Sequence, residues 1–183
     1  MSKEKFIDIE KLIKSKNPRL LKVLPKYILR YLKRILHERE INEFLEAHGD
    51  KHNEEFCHEV MRYFNIEVEL HGVENIPKDG PVILAMNHPL GGMDGIAFIS
   101  ALSNYRKDIK FIVNDILLNL KNLSELFVGV NKHGKNKVSV RKQINEAFSS
   151  EGVLCIFPAG LVSRKFKGEI RDLDWKKTFV TYA

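Results

Sequence analysis

The run Asn87-His88-Pro89-Leu90-Gly91-Gly92-Met93-Asp94-Gly95 sets an imidazole and a carboxylate six residues apart in a glycine-rich turn. A carboxylate that accepts one ring N–H of a histidine fixes the tautomer and raises the basicity of the other nitrogen. That nitrogen can then take a proton from a hydroxyl. His88 is therefore a candidate general base, and Asp94 the residue that orients it. Pro89, Gly91 and Gly92 suit a compact turn that returns Asp94 to the ring. The same spacing also fits a histidine that caps a turn and an aspartate that caps the next helix. No serine or cysteine stands beside an evident activating partner. The group to be deprotonated is then the substrate's own hydroxyl, and its attack on a thioester carbonyl transfers an acyl group with no covalent enzyme intermediate. Backbone amides near Gly92 or Gly160 are candidates to steady the oxyanion, with Gly91 and Gly92 shaping the turn.

The elements around this turn alternate. Pro81–Met86 reads as a buried strand, followed by the glycine turn and a helix over Ile96–Leu102. Ile109–Val113 reads as a strand, Asp115–Leu120 as a short helix, Phe127–Val130 as a strand and Val138–Phe148 as a helix. Gly152–Phe157 is a further strand that leads into a second turn at Pro158-Ala159-Gly160. Ile66, Val68 and Leu70 alternate with Glu67, Glu69 and His71, the pattern of a half-exposed strand. Asp174–Ala183 reads as a terminal helix. Strands alternating with helices predict an α/β fold with a mainly parallel sheet flanked by helices. In such sheets active groups gather at the carboxyl ends of strands, where both glycine turns fall.

The first part of the chain has a different character. Residues 1–39 hold twelve Lys/Arg against four Asp/Glu, a net +8, whereas the whole chain of 183 residues is only +6. Over residues 18–37, Leu20, Leu24, Tyr27, Ile28, Tyr31 and Ile35 recur at three- and four-residue steps, with basic residues between them. This predicts a basic amphipathic helix, started or kinked near Pro25. Such a helix suits an anionic bilayer surface, with tyrosines at interface depth, and it equally suits packing on its own domain with snorkelling cations. Charges interrupt it too often for a membrane span. Residues 38–64 continue as helix, with a break at Gly49-Asp50. The division read from the sequence is 1–64, a basic helical N-terminal segment, and 65–183, an α/β core. Cys57 and Cys155 show no metal-type spacing, and the neighbouring His52 and His58 read as a solvated helix face, so no metal is expected. Two unclustered thiols and a charged N-terminus with no apolar stretch behind it fit a cytoplasmic protein without a signal peptide. Nucleic-acid binding through residues 1–39 is the weaker reading, because stacking aromatics and a recognisable motif are lacking.

The run Val82-Ile-Leu-Ala-Met-Asn-His-Pro-Leu-Gly-Gly-Met-Asp-Gly95 resembles the NH…D block of the glycerol-phosphate and lysophosphatidic acid acyltransferases, the PlsC-like proteins. The turn Phe157-Pro158-Ala159-Gly160-Leu161-Val162-Ser163-Arg164 resembles their FPEGTRS block, and Phe127–Lys132 falls in order between the two. The resemblance spans roughly residues 66–170. It implies that His88 and Asp94 are the catalytic pair. It also implies that Phe157, Pro158, Gly160, Ser163 and Arg164, with Asn131 and Lys132, bind the acceptor. Five residues separate His88 from Asp94 where the family has four, Ala159 replaces the family's Glu, and the middle-block Arg has no match. The HPLGGMDG form resembles a hemolysin-like subgroup that includes acyltransferases of amino-acid-containing lipids. That points away from glycerol 3-phosphate and towards another hydroxyl, such as that of an N-acylated amino acid with a 3-hydroxy acyl chain. The resemblance implies an acyl thioester co-substrate (acyl-CoA or acyl carrier protein), no resident cofactor, and a peripheral place on the inner face of the cell membrane. The cations Arg164, Lys165 and Lys167 suit a phosphate or carboxylate head group. Family members usually continue into a further strand with a proline-containing block, so the chain reads as truncated at its C-terminus. A non-catalytic lipid-binding domain is the alternative.

Overall fold

A computed structural model describes residues 7–114, 117–130 and 137–182. They fall into two compact units, Met1–Asp50 and Lys51–Ala183.

The first unit is helical: α1 (Ile9–Lys16), α2 (Pro18–Val23), α3 (Lys26–Ile35) and α4 (Glu38–Ala47). Local chemistry sets the boundaries. Asp8 accepts the Lys11 amide and Asn17 the Leu20 amide, both as N-caps, and Pro18 occupies the first position of α2, where its missing N–H costs nothing. Pro25 separates α2 from α3, the break its position predicts. The buried Glu38 carboxylate accepts the Ile9 amide at 3.0 Å and stands 4.0 Å from the Lys33 ammonium. Ile9, Phe44 and Leu45 are buried. By contrast, no residue of α2 or α3 is buried, and Leu20, Val23, Tyr27, Tyr31 and Ile35 all lie exposed.

The second unit is the expected α/β fold. Its four-stranded parallel sheet has the order β1-β4-β2-β3, formed by β1 (Val82–Ala85), β2 (Ile109–Asn114), β3 (Phe127–Val130) and β4 (Val153–Ile156). Helices α5 (Asn53–Tyr63), α6 (Gly92–Leu102) and α7 (Lys137–Phe148) accompany it. β4 is buried at every position, as the unbroken apolar run Val-Leu-Cys-Ile requires of a strand between two neighbours. Ile99 and Leu102 of α6, Cys57 of α5, and Ile109 and Phe111 of β2 are among the fully buried side chains. Just before β4, a Cβ on Gly152 would lie 2.6 Å from the Asp108 carbonyl oxygen, so only glycine lets the two strands start side by side. The buried Arg106 grips Asp108 through two N–H···O bonds of 2.8 and 2.6 Å and donates to the carbonyls of Pro77 and Gly80, fastening the loop before β1 to the entry of β2.

Four expectations change. Residues 66–70 form no strand, since no segment among the described residues pairs with them and Val68 is exposed. Helix α6 begins at Gly92 rather than Ile96, so Asp94 lies in its first turn. The terminal helix α8 spans only Thr178–Tyr182. Ahead of it, residues 164–171 form a hairpin of β5 (Arg164–Phe166) and β6 (Glu169–Arg171) that the sequence reading lacked.

Candidate active site

The sheet order makes the site. β1 and β4 are neighbours in register, Ala85 opposite Ile156, and the Met86 amide donates to the Ile156 carbonyl at 3.0 Å. The turns that leave their carboxyl ends therefore lie side by side although they are far apart in the chain. The first turn carries His88 and the second Phe157, whose rings stack at 4.0 Å and 19°. Phe111 of β2 stands 5.8 Å from Phe157 and extends the aromatic wall.

The histidine–carboxylate pair is formed. His88 Nδ1 lies 2.9 Å from Asp94 Oδ2, and the same oxygen accepts the Leu90 amide at 2.9 Å. A carboxylate only accepts, so Nδ1 carries the proton and the Nε2 lone pair is left free of it. Gly91 makes the turn possible: its φ of 70° is costly for any residue with a side chain, and it delivers the chain directly into α6. The two side chains are 17% and 14% exposed, shielded yet reachable.

A second carboxylate, with no signal in the sequence, holds the other side of the histidine. Asp172 Oδ1 accepts the His88 amide at 3.3 Å and the Ser163 hydroxyl, while Oδ2 accepts the Trp175 indole N–H at 2.9 Å. The Ser163 amide returns to the His88 carbonyl at 2.8 Å. Burial works against the charge of Asp172, but the bonds from Ser163, Trp175 and the His88 amide outweigh it and hold its carboxyl below the usual range.

His88, Gly91, Gly92, Phe157, Pro158 and Gly160 line a groove of about 450 Å³. Phe111, Ile112 and Val113 of β2, with Phe127, Ile144 and Phe148, make much of the rest of its lining hydrocarbon, and Lys176 also lines it. Gly92 is at the N-terminus of α6, where a helix leaves its first amides without partners inside the helix. The Gly160 amide is committed to the Phe157 carbonyl at 2.9 Å, so it is not a free oxyanion donor. Arg164 opens the exposed hairpin. Asn131 and Lys132 lie outside the described residues. Burial, with the Glu54 charge adding to it, pushes the Cys57 thiol up to about 12, and burial raises that of Cys155 too, so neither offers a thiolate. The His58 ring, which stands beside Cys57 in sequence, is bonded to Ser100 Oγ at 2.8 Å.

Comparison with known proteins finds similarity to acyltransferases. A family model described as acyltransferase matches residues 11–183. The chain is 43% identical over 176 residues to the lyso-glycine lipid O-acyltransferase of Bacteroides thetaiotaomicron, covering 96% of itself and 65% of that protein. To the lyso-glycine lipid O-acyltransferase of Phocaeicola vulgatus it is 41% identical over 177 residues, with 96% and 63% covered. The chain thus spans just under two thirds of the length of these relatives. No solved structure matches it.

Proposed function

The chain belongs to the acyltransferase family, and from that membership we propose that it moves a fatty acyl group from an acyl thioester to the hydroxyl of a lyso amino-acid lipid. One observation carries the mechanism: a histidine oriented by a carboxylate lines an apolar groove, at the carboxyl ends of parallel strands. The acyl chain lies along the groove, where each buried methylene contributes about 0.8 kcal/mol. The acceptor hydroxyl gives its proton to His88 Nε2 as its oxygen attacks the thioester carbonyl. The first-turn amides of α6 near Gly92 steady the oxyanion, helped by the positive end of that helix. Collapse of the tetrahedral intermediate breaks the C–S bond, and the proton held on Nε2 passes to the departing thiolate. Asp94 keeps Nδ1 protonated throughout and stabilises the imidazolium while it exists.

The acceptor class is supported by the relatives, which are named for a lyso-glycine lipid, and by the departures of the second turn from the glycerol-phosphate pattern. A place on the inner face of the membrane is supported by the exposed tyrosines and aliphatics of α2 and α3 among Lys22, Lys26, Arg30 and Arg34. No helix among the described residues is long and apolar enough to cross a bilayer. The test is transfer from acyl-CoA or acyl carrier protein to an N-(3-hydroxyacyl)glycine in detergent, with the ester product identified by mass spectrometry. His88→Ala is expected to lower the rate at least 10²-fold with an unchanged circular dichroism spectrum. Near-normal turnover by the folded variant would falsify the mechanism.

A further inference from the structure

The β5–β6 hairpin carries Arg164 directly opposite Arg171. Two like charges facing each other across an antiparallel pair are destabilising unless something neutralises them. Neither guanidinium has an ion-pair partner among the described residues; Glu169, two residues from Arg171 on the same face, pairs across the hairpin with Phe166. All six strand residues are exposed, so no core holds the hairpin in this register. Its tight turn is made by Lys167 and Gly168, with φ of 50° and 95°. The Arg171 guanidinium lies 4.2 Å from the Phe166 ring centre, which fixes it on the face it shares with Arg164.

The position of this pair ties it to the catalytic histidine. Arg164 follows Ser163, whose amide bonds the His88 carbonyl, and Arg171 precedes Asp172, which accepts the His88 amide. The two legs of the hairpin therefore close on the backbone of His88, and the two arginines form the first rung beyond it, roughly 3.3 Å further along each strand. Val162, on the approach to the rung, still lines the groove.

We propose that Arg164 and Arg171 together form a clamp for the carboxylate of the acceptor lipid. This rests on the acceptor class proposed above: an amino acid acylated through its amine keeps a free carboxylate a few bonds from the hydroxyl of its acyl chain. Two planar guanidinium forks supply paired N–H donors that match the two oxygens of a carboxylate. With the anion on the rung, the lipid's hydroxyl falls back towards Nε2 of His88. The pair thus selects acceptors by head-group charge and sets their register at the base.

Trp175, the single tryptophan, bonds Asp172 beside the hairpin and reports binding by its fluorescence without any need for turnover. The whole chain, in neutral detergent at low salt, is titrated with an N-(3-hydroxyacyl)glycine and with its methyl ester. The wild type is expected to bind the acid on the order of tenfold more tightly than the ester, and R164Q/R171Q to lose that preference. Equal binding of acid and ester by the wild type overturns the clamp, and needs no variant to do so. A folded double variant that keeps the preference overturns it too. Cosedimentation with vesicles of anionic phospholipid is measured in parallel. If R164Q/R171Q loses vesicle binding while still preferring the acid, the pair is a bilayer contact and the clamp is refuted. A wild type that discriminates acid from ester but transfers no acyl group preserves the clamp and removes the proposed activity instead.

Discussion

The two strand-end turns are held in opposite ways. After β1, the working contacts are local: Asp94 reaches His88 and Leu90, six and four residues away. After β4, they are distant: Asp172 reaches the His88 amide across 84 residues, and Ser163 closes on the His88 carbonyl. The first turn orients an imidazole. The second fixes the backbone that carries it. Orientation of the ring is therefore a property of one short peptide, while the fixing of His88 at its backbone is a property of the sheet order, which brings β4 beside β1.

If that division is right, substitutions in the two turns should fail differently. The largest effect belongs to Asp94→Asn. Oδ2 receives both the Leu90 N–H and the His88 Nδ1–H, so the amide oxygen takes its place and the turn survives. The negative charge is gone, however, and with it the stabilisation of the imidazolium that forms on His88 during transfer. The expected loss of turnover is about 10²–10⁴-fold with little change in acceptor binding, read from kcat and from Trp175 fluorescence titrations. A variant that keeps kcat breaks the comparison at its first term.

Asp172→Asn should do less to turnover and more to stability. One of its atoms becomes a donor, and whichever way the amide turns it faces a donor already there: Trp175 Nε1 on one side, Ser163 or the His88 amide on the other. Hydrogen bonds to a charged group are worth about 1.5–3 kcal/mol each, so the melting temperature should fall by several degrees and turnover by about tenfold. The pH dependence sharpens the test. The folded carboxyl of Asp172 lies below its ordinary value, so its contribution is complete at neutral pH and is lost as pH falls through the depressed value. The gap in melting temperature between wild type and variant should therefore close on acidification. A gap that stays constant shows that Asp172 acts as a shape and not as a charge.

The same local–distant division explains what could be read from the sequence. His88 with Asp94, the four strands of the sheet and the kink at Pro25 are written in adjacent residues: a glycine turn, unbroken apolar runs, a proline. The knot at Asp172 is not, because nothing in Arg171-Asp172-Leu173 distinguishes its carboxylate from a solvated one until the strand order is known. Residues 66–70 depart from their alternating pattern for the complementary reason. Alternation describes the faces of a strand, but a ladder also needs a partner, and none among the described residues pairs with them. The terminal helix starts late because the segment before it is engaged elsewhere: Trp175 bonds Asp172, and the Lys176 amide bonds the Pro158 carbonyl.

The smallest expected effect separates the backbone of the second turn from its side chain. Ser163 contributes twice, through an amide to the His88 carbonyl and a hydroxyl to Asp172 Oδ1. Ser163→Ala removes only the hydroxyl. The amide bond remains, Oδ1 keeps the His88 N–H, and the half-buried position admits water to the vacated site. Stability should drop by no more than about 1 kcal/mol and turnover by no more than a few-fold. Because Asp172 then holds one donor fewer, its carboxyl should move back towards the ordinary value, and the acid-induced loss of stability should begin at a higher pH than in the wild type. Thermal melts across an acid series, set beside those of Asp172→Asn, measure this directly. Should Ser163→Ala cost as much as Asp172→Asn, the hydroxyl is the main tie between the two turns, and the backbone clamp on His88 is secondary.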